Sequence, residues 1–211
     1  TRLRASIAGG VISAAPGPAD HRLPLTAAHR ERAAVRLAAT NGSRLVAFAP
    51  GSKMPAKMWP LDRFASAGSA LLARYPDIRL VVLGGGAEEQ QQAERLTAAW
   101  GARSVNLVGL SIWDTAAVLE RCSLYVGNDT GTMHLAASVG TPCVAIFSAR
   151  DNPGRWEPAG AGHIVLRRDV PCAGCVLTEC TEHHNICLTS IPVDEVVAAA
   201  AARLQTASNA A

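Results

Sequence analysis

"VGNDTGTMHLAASVGTPCVAIF", Val126–Phe147, is the stretch that decides the fold of this chain. It opens on the end of an apolar run, "SLYVGN", that reads as a strand stopping at a glycine and an asparagine. "TGTMHLAASVG" then reads as a helix halted by Gly140, and "PCVAIFS" as the next strand. Strand, helix and strand in so short a span make a βαβ unit, whose two strands run parallel. Neither strand alternates apolar with polar residues, so both faces of the sheet are covered by helices.

Working outward, the unit recurs. Upstream, "LVAFAP" (Leu45–Pro50) is a buried strand. The helix that follows, Leu61–Tyr75, sets Leu61, Phe64, Ala65, Gly68, Leu71 and Leu72 at helical spacing on one face. "IRLVVLGGG" (Ile78–Gly86), "AEEQQQAERLTAAW", "SVNLVG" and "IWDTAAVLERC" continue the alternation of strand and helix. Downstream, "HIVLRR" is a candidate sixth strand, and "PVDEVVAAAAARL" is a closing helix with Pro192 in its first turn. The expected architecture is α/β, a Rossmann-like doubly wound parallel sheet over residues 41–206, with a frayed tail at 207–211. Residues 1–40 are expected to be a leader and an alanine-rich helix (Leu25–Ala39), the residue of a missing N-terminal domain. "RLRASIAGGVISAAPGPA" allows two readings: a signal peptide whose apolar run is broken by Gly9 and Gly10, or a segment left from something upstream.

Composition narrows the class. With 49% apolar and 18% charged residues, the 211-residue chain has the material for one ordered core. Aromatics are only 4%, so that core is built mainly of Ala, Val and Leu. A net charge of +3 from scattered arginines is too weak and diffuse for a nucleic-acid surface. No apolar run reaches the ~18 residues that span a bilayer.

Open α/β sheets bind ligands at the carboxyl ends of their strands. Here those ends carry "PGSKMPAKMWP", "GGGAEE", "GLS", "GNDTG" and "SARDNPGRW", so glycines and polar groups gather on one edge. Ser52, Lys53 and Lys57 stand before a helix, an arrangement suited to phosphate, although a solvated loop with idle lysines reads the same way. It is not a Walker loop, since G-x-x-x-x-G-K-[ST] is absent. Trp59 and Pro60 are expected to fix this loop by packing. Glu88 or Glu89 is placed to bond ribose hydroxyls, or simply to complement a helix N-terminus. In "GNDTGTMH", Asp129 alone is explained as an N-cap. Thr130, Gly131, Thr132 and His134 together are not: bare N–H groups beside a glycine, two hydroxyls and an imidazole one turn along suit a diphosphate, with a structural His134 as the alternative.

Taken together, "PGSKMPAKMWPLDRFA" (Pro50–Ala65), "GGGAEEQ" (Gly84–Gln90), "GNDTGTMHLAASVGTPCVAIF" (Gly127–Phe147) and "PGRWEP" (Pro153–Pro158) resemble glycosyltransferase family 9, the heptosyltransferases of the bacterial lipopolysaccharide inner core. The resemblance runs between residues 23 and 205, and its specific part is K-x-W-P followed by D-T-G-x-x-H. It implies the C-terminal, donor-binding half of a two-domain GT-B fold. It also implies inverting transfer of heptose from ADP-heptose to a lipid-linked oligosaccharide acceptor, with neither cofactor nor metal in the chemistry. By the same resemblance Lys57 is the catalytic cation on the leaving diphosphate. Ser52 and the Thr130–Gly131 backbone hold its oxygens, with Lys53 a further substrate-binding candidate in the same loop, and Glu88 meets the ribose. Asp129 and His134 orient the sugar end, and Gly109, Leu110 and Ser111 line the adenine. A cytoplasmic enzyme with peripheral contact at the inner membrane face follows. The acceptor domain, which carries the carboxylate base of the family, has no counterpart in this sequence, so the chain is expected to bind ADP-type nucleotides and transfer little sugar alone. Rival readings are a non-catalytic nucleotide-binding or regulatory module, a metal-stapled interaction domain, and a GT-B relative that uses UDP-sugars, such as an epimerase.

The metal-stapled reading comes from "CAGCVLTECTEHHNIC", with Cys172, Cys175, Cys180 and Cys187 and two histidines between. C-x-x-C is a good half-site for zinc, but the six-residue gap before Cys187 is loose. Structural metal, reduced thiols and disulfides all stay open. Cys122 and Cys143 lie in apolar runs and read as core.

Overall fold

The computed structural model describes the backbone of residues 6–7, 11–13, 22–40 and 42–208, with side chains for 22–40 and 42–206. Two short strands, β1 (Ser6–Ile7) and β2 (Val11–Ser13), come first. Six parallel strands follow: β3 (Arg44–Ala49), β4 (Ile78–Val82), β5 (Ser104–Asn106), β6 (Cys122–Asn128), β7 (Cys143–Ile146) and β8 (Ile164–Leu166). Their order across the sheet is β1-β2-β8-β7-β6-β3-β4-β5, with β1 and β2 antiparallel at one edge. After β3 the chain steps outward through β4 and β5, then returns to lay β6 on the other side of β3. The loops after β3 and β6 therefore diverge and leave a crevice at the carboxyl edge, as a doubly wound sheet does at its switch point.

The helices are α1 (Ala27–Arg36), α2 (Leu61–Arg74), α3 (Ala87–Trp100), α4 (Ile112–Glu120), α5 (Gly131–Ser138), α6 (Ile186–Thr189) and α7 (Val193–Ser208). Side chains of a strand alternate between faces, and β3 shows how this builds two cores. Val46 and Phe48 belong to the core under α2, α3 and α7, whereas Leu45, Ala47 and Ala49 belong to the one under α1, α4 and α5. Phe48 meets Phe64 edge-on at 6.3 Å and Trp100 at 5.0 Å between ring centres. In α2 the buried Phe64, Ala67, Gly68, Leu71 and Leu72 form the apolar stripe that the sequence spacing predicts.

The helix expected at 25–39 is α1, started by a capping box between Thr26 and His29. The face it packs on, which the sequence does not name, is α4: Arg30 pairs with Glu120 and Arg32 with Asp114, and His29 stacks on Trp113. Several expected strands are shorter in the structure. Those starting at Ile78 and Ser104 stop before their glycines, which become the loops of the site. The closing helix runs further than expected, to Ser208. Apart from β1 and β2, the leader before Arg22 lies outside the described residues, and so does the signal-peptide reading of it. The last three residues of the tail lie outside them too.

Candidate functional site

The crevice is built from the last turn of β6 outward. Asn128, wholly buried, donates its amide to Pro50 O at 2.6 Å and accepts the Trp59 N–H at 3.0 Å. One side chain thus ties both ends of the loop after β3 to the end of β6. Trp59 completes the tie: it is 1% exposed, stands edge-on to Phe64, and donates Nε1 to Ile191 O at 3.0 Å. Held this way, the short 3-10 turn Pro55–Lys57 carries Lys57 over the sheet edge. Lys57 Nζ lies 2.6 Å from Asp129 and 4.0 Å from Asp151, and Asp151 also pairs with Arg150 at 2.6 Å. Lys57 and Asp129 are nearly buried, with side chains 13% and 7% exposed.

Asp129 is therefore not the helix cap that its position suggests. Thr130 occupies the N-cap of α5 and makes no side-chain cap bond. The Asp129 carboxylate goes to Lys57 because the loop tie brings an ammonium within reach, and a charged partner outcompetes a neutral N–H. The Met133 and His134 N–H groups bond Thr130 O. Those of Gly131 and Thr132 find no acceptor among the described residues, and they sit at the positive end of the helix dipole.

These groups open on a cleft of about 350 Å³ lined by Ser52, Lys53, Lys57, Gly85, Glu89, Asp129, Thr130, Gly131 and Thr132 among others. Most of the residues expected from sequence thus meet there. Glu88 does not: it is exposed and outside the lining, and its neighbour Glu89 lines the cleft instead. Glu89 accepts the Gly85 N–H at 2.6 Å, and a Cβ on Gly51 or Gly84 would collide with it. Gly85 and Gly131 differ, because a Cβ on either would meet nothing within 4 Å and neither needs a left-handed backbone. Their smallness serves the cleft and not the protein around it. Ser52 Oγ accepts the Met54 N–H at 3.1 Å while still lining the cleft.

Four expected residues stand back from this lining. His134 lies one turn along α5 with much of its surface exposed. The protein wall on its other side lowers its proton affinity, with help from Lys57 and against the pull of Asp129. Gly109, Leu110 and Ser111 follow β5, two strands along the same edge, where Gly109 donates to Gly84 O and Ser111 caps α4. Sequence reasoning assigned no part to Asn128, Arg150 or Asp151. A polar amide ending an apolar strand was a visible signal for Asn128. The Asp151 contact is made only in space, across the sheet. The four clustered cysteines are all free thiols around a second, small cavity.

The model of glycosyltransferase family 9 (heptosyltransferase) matches residues 16–186. Lipopolysaccharide heptosyltransferase 1 of Pseudomonas aeruginosa is 32% identical over 140 residues, covering 66% of this chain and 38% of that protein. Lipopolysaccharide heptosyltransferase 2 of Escherichia coli is 32% identical over 109 residues, or 49% of this chain and 30% of that protein. Among solved structures, E. coli ADP-heptose lipopolysaccharide heptosyltransferase II superposes with a TM-score of 0.73 at 21% identity, covering 89% of this chain and 54% of that one. E. coli heptosyltransferase WaaC with ADP gives 0.62 at 23% identity, over 78% and 45%. The chain spans about half the length, or less, of the curated relatives it matches. Its sheet corresponds to one Rossmann half of the GT-B arrangement. On the strength of the family match and the fold together, the chain belongs to glycosyltransferase family 9, the heptosyltransferases.

Proposed function

We propose that this chain is the donor-binding half of a heptosyltransferase, holding an ADP-sugar for inverting transfer to a lipopolysaccharide-type acceptor. One observation carries the proposal: the Lys57 ammonium and the bare first-turn N–H groups of α5 face one cleft at the sheet's switch point, beside two glycines that nothing in the protein fills. A diphosphate is the guest that uses all of these. Lys57 keeps one N–H on Asp129 and turns the others to phosphate oxygens, while Ser52, Lys53, Thr130 and Gly131 supply further donors. Glu89, in place of Glu88, meets the ribose, with Gly109, Leu110 and Ser111 flanking the base. His134 and Asp129 orient the sugar end.

When the glycosidic bond breaks, negative charge grows on the departing diphosphate. An ammonium and a helix N-terminus fixed at that point stabilise it without reorganisation, so the chain's own residues supply the positive charge the step requires. The acceptor hydroxyl must also lose a proton to a base. The carboxylates lining the cleft are committed, Asp129 to Lys57 and Glu89 to the Gly85 N–H. The base then comes from the acceptor-binding domain, and a lipid-linked acceptor puts the enzyme at the inner face of the cytoplasmic membrane. The same commitment of carboxylates supports a second reading, a nucleotide-binding module with no transfer of its own.

Thermal shift with ADP, UDP, GDP and CMP tests the donor site. At about 100 times its dissociation constant ADP is expected to stabilise the fold by about 2.7 kcal/mol, with the other three giving less. Equal shifts for all four would defeat the assignment.

A further inference from the structure

Between Pro171 and Cys187 every residue is exposed except Cys172, Cys175, Cys180, Asn185 and Cys187. The interior of this segment is its four sulfurs and one asparagine, with no apolar core of its own. A stretch that buries so little cannot offset the entropy of ordering its backbone unless something staples it. The segment is nonetheless tightly specified. Val176, His184 and Asn185 are the non-glycine residues in the left-handed region among the described residues, and all three fall here. A β-branched residue such as Val176 adopts that conformation only when its surroundings impose it.

The four cysteines line one cavity of about 20 Å³, space for a single water-sized or ion-sized sphere. The wide gap between Cys180 and Cys187, loose for a metal site when seen in sequence, is taken up by the left-handed turn at His184–Asn185, after which α6 returns Cys187 to the same cavity. The Asn185 N–H donates to Cys180 Sγ at 3.4 Å, which ties that sulfur to the turn. Arg150 also lines the cavity and donates to Val176 O and Leu177 O, both at 2.7 Å, so a cation stands beside the sulfurs.

We propose that Cys172, Cys175, Cys180 and Cys187 hold one thiophilic divalent metal ion, which staples this segment and braces the Pro55–Lys57 turn. Loading exchanges four S–H protons, released to solvent, for four metal–sulfur bonds. The centre then carries two negative charges beside the Arg150 guanidinium, which also pairs with Asp151. Among the described residues no three His, Cys, Asp or Glu side chains already stand as a metal site, so loading requires the four sulfurs to close on the ion. The brace runs through the Ala56 N–H to Thr178 O at 2.9 Å, and through Asn185 Nδ2 to Pro55 O at 3.4 Å. That second part rests on the donor-site reading; the metal itself does not.

Elemental analysis of the chain purified without chelator is expected to find about one zinc or iron per chain. Metal-stripped protein titrated with Co²⁺ in reducing buffer should show thiolate-to-cobalt charge transfer in the near ultraviolet, saturating at about one equivalent. Cys175→Ser and Cys180→Ser should lose that band, and His183→Ala should keep it. If the serine variants do not fold, the Co²⁺ spectrum and stoichiometry of the unaltered chain carry the test. Less than about 0.2 equivalents of metal as purified, with no charge-transfer band on Co²⁺ addition, would overturn the site. So would disulfides among these cysteines in protein purified without reductant. Stripping the metal should also weaken ADP binding several-fold. A full metal count with ADP affinity unchanged by stripping would overturn the brace alone, and ADP failing to bind loaded protein would overturn the donor reading instead.

Discussion

Gly131 begins α5 with space around its Cα that the protein leaves unused, and a glycine costs a helix about 1 kcal/mol relative to alanine. A ligand lying against the first N–H groups accounts for accepting that cost. Gly131→Val is therefore expected to leave the unliganded fold near its original stability while weakening ADP at least about tenfold, close to 1.4 kcal/mol. Calorimetric titration beside a thermal melt reads both quantities. A variant that binds ADP as before would remove the ligand explanation of this glycine. Lys57 presents the reverse case, a residue that the fold needs through its pair with Asp129 and that the proposed ligand would need as well. Lys57→Met strands the Asp129 carboxylate in a nearly dry site, where breaking a buried pair costs about 3–5 kcal/mol. Adding Asp129→Asn should restore much of that loss in urea denaturation without restoring ADP affinity. If the double variant is no more stable than Lys57→Met, the pair is not what holds this turn.

At the scale of elements, the end of β6 does more than finish a strand. Asn128→Ala would leave Pro50 O and the Trp59 N–H buried and unpartnered, at about 1–3 kcal/mol each. Because those bonds hold the loop that carries Lys57, stability and ADP affinity should fall together; a loss confined to stability would mean that the loop holds its shape by other means. A second joint lies between β7 and β8, where buried His163 accepts the Cys143 N–H at 3.1 Å on Nδ1. Burial lowers the proton affinity of this ring below its ordinary value, and the cation of Arg203 adds to the effect, against a bond to Ala159 O. Above about pH 6.5 the ring is neutral folded or unfolded. As the pH drops through that value the unfolded chain takes up a proton that the folded one refuses, so stability falls until the lower folded value is reached. The urea midpoint should therefore drop between about pH 7.5 and about pH 5.5, and drop less in His163→Gln. Equal drops in both proteins would show that His163 does not carry the effect. Sequence made the strand before this joint legible, because "PCVAIFS" has no polar residue inside it. His163 itself looked like the first residue of the sixth strand, and its inward bond appears only when β7 and β8 pair.

For the molecule as a whole, the alternation of apolar strands and amphipathic helices was enough to read the parallel sheet and the edge on which polar loops gather. What spacing cannot encode is which loops become neighbours. The return of β6 beside β3 joins Lys57 to Asp129 and turns a plausible helix cap into half of an ion pair. The same placement seats Glu89 over Gly51 and Gly84, while Glu88, one residue earlier, faces solvent. This arrangement bears directly on turnover. It gathers positive charge at the cleft, as the proposed leaving diphosphate would need, but leaves no uncommitted carboxylate there to accept a proton from an incoming hydroxyl. The 211-residue chain is therefore expected to bind ADP-heptose and release ADP no faster than background when a lipopolysaccharide-type acceptor is added. Mass spectrometry of the acceptor together with a coupled assay for ADP measures this directly. Sustained transfer by this chain alone would mean that Asp129 or Glu89 gives up its partner to act as base. Asp129→Asn and Glu89→Gln, compared for loss of turnover at saturating donor, would then identify which one does.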